Sequence, residues 1–99
     1  MSYLDDLAGQ IEHEVSADMP PQQDTKLLFR LYALLLLTKG TAVTALDVHN
    51  AWAVWMEEKD PGHPAIRPFE ELDPATQASD EPFVAAIKAV AGRAQGPSA

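Results

Sequence analysis

Three histidines, two groups of carboxylates and an arginine within a proline-rich stretch are the residues of this chain that could do chemistry. His13, His49 and His63 could ligate a metal or carry a proton, but their separations match no metal-ligand spacing. Glu57-Glu58-Asp60 and Glu70-Glu71-Asp73 fall where helix ends and caps are expected, so capping and solvation explain them better than general acid–base work. No Gly-rich phosphate loop, Gly-x-Ser-x-Gly elbow or His-Glu-x-x-His motif occurs. There is no cysteine, which removes disulfides, thiolate metal sites and thiol nucleophiles. The reading is of a non-catalytic protein with no metal and no other cofactor. Arg67, between Ile66 and Pro68, is the residue best suited to grip a phosphate or carboxylate. A surface ion pair with Glu70 or Glu71 is its other use. Trp52 and Trp55, three apart, share a helix face that can serve as core or as ligand platform.

The elements that must position these residues are helices. Ser2 can cap a first helix over about residues 3–15, with Leu4, Leu7, Ala8, Ile11 and Val15 at helical spacing and Asp5 and Asp6 in its first turn. Pro20-Pro21 marks a connecting loop. Asp24 or Thr25 is expected to cap a second helix that is apolar on most of its circumference. Leu27, Leu28, Leu31, Leu34 and Leu35 can face the core, which leaves Phe29, Tyr32, Leu36 and Leu37 as a candidate interface; Gly40 stops the helix. Thr44-Ala45-Leu46-Asp47 has the spacing of a capping box and opens a third helix with Val48, Ala51, Trp52, Trp55 and Met56 in one stripe. Residues 60–72 hold three prolines and a glycine, with Ile66, Phe69 and Leu72 as anchors into the core. Asp73-Pro74 predicts a short helical turn, and Asp80-Glu81-Pro82 launches a last helix with Phe83, Val84, Ile87, Val90 and Ala91. Gly92 and the tail are expected to fray.

Ninety-nine residues at 46% hydrophobic can fill one core. The fold class expected is all-α: a small bundle of four helices with a proline-rich loop packed on the core, one domain over 1–95 and a disordered tail over 96–99. Leu27 to Leu37, interrupted by Arg30, would rise only about 16 Å as a helix, roughly half a bilayer's hydrocarbon, so no membrane role is expected. The start, Met-Ser-Tyr-Leu-Asp-Asp, does not read as a signal peptide, and the expected location is the cytoplasm. The net charge of -8 and the scatter of the seven bases speak against nucleic acid.

Val48-His49-Asn50-Ala51-Trp52, then His63-Pro64 with Ile66, then Pro68-Phe69-Glu70-Glu71-Leu72, and Asp80 before a helix, together resemble the ryanodine-receptor repeat domain over residues 48–90. The resemblance implies a binding module for a small, nucleotide-derived ligand, with His49, Trp52, His63, Arg67 and Phe69 as its candidate contacts. The whole chain also resembles short uncharacterised proteins of actinobacteria and their phages, in which Tyr3-Leu4-Asp5-x-Leu7-Ala8-x-Gln10-Ile11 and the Val48–Trp52 stretch recur. Two readings stand at this point. One is an accessory domain that acts by binding a protein partner or by self-association as a homodimer through the second helix. The other is the small-ligand module.

Overall fold

A computed structural model describes residues 3–16 and 25–95. The chain folds as a helical bundle, with no strand among the described residues. Helix α1 spans Tyr3–Ser16, α2 Lys26–Lys39, α3 Ala45–Lys59, α4 Pro74–Ala78 and α5 Glu81–Gln95; single 3-10 turns occupy Gly40–Ala42 and Phe69–Glu71. Four long helices and one short one thus stand where the apolar periodicity and start signals put them. The expected Ser2 cap, Pro20-Pro21 loop and 96–99 tail lie outside the described residues.

Local chemistry explains the boundaries. Gly40 ends α2 at φ 56°, a backbone region that costs a residue with a side chain but not glycine. Thr44 Oγ1 accepts the Asp47 N–H at 3.3 Å and Asp47 Oδ2 accepts the Thr44 N–H at 3.0 Å, so the capping box that opens α3 is complete despite the shorter acid. Asp73 Oδ1 accepts the Thr76 N–H at 2.8 Å ahead of Pro74, the first residue of α4. Gly92 does not end α5, which continues to Gln95. A single glycine costs a helix only about 1 kcal/mol, and the final turn is tied to α1 by Arg93 Nη1 donating to Glu14 Oε2 at 3.0 Å.

The core is built around α2. Ile11 from α1, Tyr32 from α2, Val48 from α3, and Ile87 and Val90 from α5 are fully buried, with Val43 from the turn after Gly40. Leu28, Phe29, Tyr32, Ala33 and Leu36 form the inner face of α2. Three of the four residues nominated as an interface, Phe29, Tyr32 and Leu36, are therefore buried within the chain and unavailable to a second copy; Leu37 alone is exposed. Leu27 and Leu34, assigned above to the core, are about half exposed, at 52% and 51%. The physical reason is aromatic packing. Phe29 and Tyr32 meet edge-on at 5.6 Å between centroids, and Phe83 of α5 closes the group at 5.3 Å from Tyr32 and 6.4 Å from Phe29. Aromatic side chains bury more area than leucine and add ring–ring attraction, so they decide which face of a nearly all-apolar helix turns inward.

The 60–72 loop is ordered, but its fastening is largely polar. Ile66, Phe69 and Leu72 are only half-buried. His49 Nε2 donates to the Arg67 carbonyl at 2.7 Å, and Gln77 Nε2 reaches the Phe69 and Leu72 carbonyls at 2.9 and 3.2 Å. Truncating a fully buried phenylalanine costs roughly 3–5 kcal/mol; for half-buried Phe69, Phe69→Ala should cost about 1–2 kcal/mol in urea denaturation. A loss in the full range would mean that Phe69 is an apolar anchor after all.

Candidate functional site

The start of α5, the inner face of α2 and the His49 side of α3 border a cavity of about 840 Å³, which α1 and the 60–72 loop also line. Its size lies within the range that holds a drug-sized molecule. Aromatic side chains dominate the walls: Phe29 and Tyr32 from α2, Trp52 and Trp55 from α3, and Phe83 from α5.

Helical spacing on α3 sets the first polar wall. His49 and Trp52 lie three apart, and their rings stack at 5.7 Å with 25° between planes; His63 from the loop meets Trp52 edge-on at 5.2 Å. Phe69 lies 6.0 Å from His49 but does not border the cavity. His63 Nδ1 accepts the Ala65 N–H at 3.0 Å, which places the His63 proton on Nε2 while that bond holds. His49 Nε2 must carry a proton because its partner is the Arg67 carbonyl.

Four of the five ligand-contact residues nominated from sequence, His49, Trp52, His63 and Phe69, thus come together. Arg67 does not join them through its side chain, which is exposed and absent from the cavity wall. It contributes only its backbone carbonyl, because the loop turns that carbonyl towards His49 and the guanidinium towards water. All three histidines border the same cavity, a convergence their sequence separations do not announce. Among the described residues, however, no three His, Asp or Glu side chains are placed to hold a metal ion.

Asp80 is the residue that the sequence reading treated only as a helix start. Its carbonyl does open α5, accepting the Phe83 and Val84 N–H groups at 3.1 Å each. Its carboxylate borders the cavity, the residue is 9% exposed, and Oδ2 has no hydrogen-bond partner. Burial pushes the Asp80 carboxyl up to about 6, with His49 pulling it down and Glu81 raising it further. Burial, and then the Asp80 charge, carry the Tyr32 phenol well above its ordinary range, so Tyr32 faces the cavity as a neutral hydroxyl at neutral pH.

The raised Asp80 carboxyl makes a stability prediction. The folded state holds this proton more tightly than the unfolded chain, so Asp80 costs stability progressively as pH rises from about 4 through 6, and the cost is complete above that. Asp80→Asn should therefore stabilise the protein at about pH 7 by on the order of 1 kcal/mol. The gain should vanish near pH 4, as read by paired thermal melts across pH. A variant less stable than wild type at neutral pH would show that the carboxylate is satisfied in the folded state.

No curated protein and no solved structure matches the chain. One family does, over residues 2–92, which include every described wall of the cavity. The chain belongs to the family described as Domain of unknown function (DUF7701).

Proposed function

We propose that this protein is a non-catalytic binding domain that takes a small molecule into the cavity between α2, α3 and the start of α5. The observation that carries this reading is the Asp80 carboxylate, held at the wall of an 840 Å³ aromatic cavity with one oxygen unpartnered. A buried, unsatisfied carboxylate lowers stability, and a ligand that satisfies it would recover that loss. The resemblance of residues 48–90 to the ryanodine-receptor repeat domain agrees with a ligand-binding role, with His49, Trp52 and His63 as wall residues. A binding role also fits the hydroxyls that border the cavity. Ser79 donates to the Thr76 carbonyl rather than to a histidine, and Tyr32 is held away from ionisation, so neither is activated as a nucleophile. The absence of cysteine agrees with a reducing cytoplasm.

The test is a fragment screen of mixed charge, read on the indole N–H signals of Trp52 and Trp55. Fragments should shift both signals and raise the melting temperature, and Ala65→Trp, which fills the cavity from the loop side, should abolish both effects. A screen in which no fragment moves either indole would overturn the reading.

A second reading, association with a protein partner or with a second copy, draws on a different surface. Leu27, Leu34 and Leu37 are exposed on the side of α2 opposite its buried face, at 52%, 51% and 48%. That reading expects sedimentation to show a concentration-dependent rise above the 10.8 kDa monomer, abolished by Leu34→Glu. A clean monomer at high concentration removes the homodimer.

A further inference from the structure

Charge decides what kind of small molecule suits this cavity. Asp80 and Glu12 border it, and among its described walls there is neither lysine nor arginine. The stretches 17–24 and 96–99 contain no basic residue, so they cannot supply one. Three of the chain's bases are paired elsewhere: Arg30 with Asp5 at 3.7 Å, Lys39 with Asp47 at 3.6 Å and Arg93 with Glu14 at 3.0 Å. A phosphate or carboxylate entering here would meet two acids and neither lysine nor arginine among the described walls, on a protein whose net charge is already -8.

The same walls favour positive charge. A buried carboxylate forms its strongest hydrogen bonds with a charged donor, and ring faces attract cations, more so when water is excluded. One ring already shows this preference: Lys59 Nζ lies 4.9 Å from the Trp55 ring centroid. His49 cannot satisfy Asp80 through Nε2, which is spent on the Arg67 carbonyl.

We infer that the ligand of this cavity is an organic cation, an amine or protonated nitrogen base on a flat or apolar body, whose charged nitrogen hydrogen-bonds Asp80 while its body lies against the aromatic walls. The inference rests on the small-molecule reading above and specifies the ligand class. Acid should weaken binding. As pH falls below about 6 Asp80 takes up a proton and loses its charge. His13, His49 and His63 also face the ligand from the walls, and the Glu12 and Glu81 carboxylates stand near it. Tyr32 stays neutral throughout this range.

The experiment titrates the full chain with three probes that share one phenyl body: 2-phenylethylamine, 2-phenylethanol and 3-phenylpropanoate. Binding is followed on the Trp52 and Trp55 indole signals at about pH 7.5 and again at about pH 5. The amine should bind about ten-fold or more tighter than the alcohol and the carboxylate at the higher pH, an advantage the lower pH should largely erase. Asp80→Asn should remove the advantage of the amine over the alcohol. Equal binding of all three probes, or preference for the carboxylate, overturns the cation inference and leaves the small-molecule reading standing. Silence of both indoles with all three probes overturns the two together. An amine preference that survives Asp80→Asn overturns the assignment to Asp80. The order of the three probes and its pH dependence are read on the wild-type protein, so the charge preference is decided even if the variant folds poorly.

Discussion

Phe29, Tyr32 and Phe83 meet between α2 and α5, and the rest of the arrangement follows from that meeting. Helix α2 carries leucines around most of its circumference, so aliphatic burial alone would leave its rotation nearly undecided. Ring packing removes that freedom. With Phe29 and Tyr32 turned towards α5, Leu28 and Leu36 are carried inward, and Leu27, Leu34 and Leu37 are carried outward. The same contact holds the start of α5 against α2, which brings Asp80 beside the Tyr32 phenol and next to the cavity.

A second set of forces shapes the opposite wall. The proline-rich loop buries too little apolar surface to be held by its side chains alone, and hydrogen bonds from His49 and Gln77 to its carbonyls supply the rest. Those bonds are partly buried, which makes their donors worth more to the fold than exposed ones would be. His49 is thereby drawn between two roles, since the bond that fixes its ring also settles the tautomer it shows to the cavity. The stacked rings of His49 and Trp52, with His63 edge-on, are the result.

Backbone and side chain pull against each other at Asp80. Its main chain serves the fold by starting α5, whereas its buried carboxylate, with one oxygen unpartnered, raises the free energy of the folded state. In the binding reading proposed above, a ligand that satisfies the carboxylate would release that cost. The aromatic cluster and the buried residues of α5 offset the cost, because Val84, Ile87, Val90 and Ala91 anchor that helix independently of its first residue.

Local signals in the chain were enough to determine the all-α class, the starts at Thr44 and Asp73, the stop at Gly40 and the apolar faces of α1, α3 and α5. Each of these depends on residues within about one helical turn of one another, where spacing and capping chemistry act directly. His49, Trp52 and His63 were nominated together only through the family resemblance, since their spacing along the chain does not show that they meet. The face of α2 that turns inward was not legible, because a helix apolar on nearly all sides has no dominant stripe, and Phe83, the residue that breaks the tie, lies about fifty positions away. Arg67 looked like the chemical group of the loop, but backbone direction decided that its carbonyl, rather than its guanidinium, would face inward. Asp80 looked like a cap. Only the packing of α5 against α2 determined that its carboxylate would be buried beside rings instead of solvated, since burial is a property of everything that surrounds a residue and not of its neighbours in the chain.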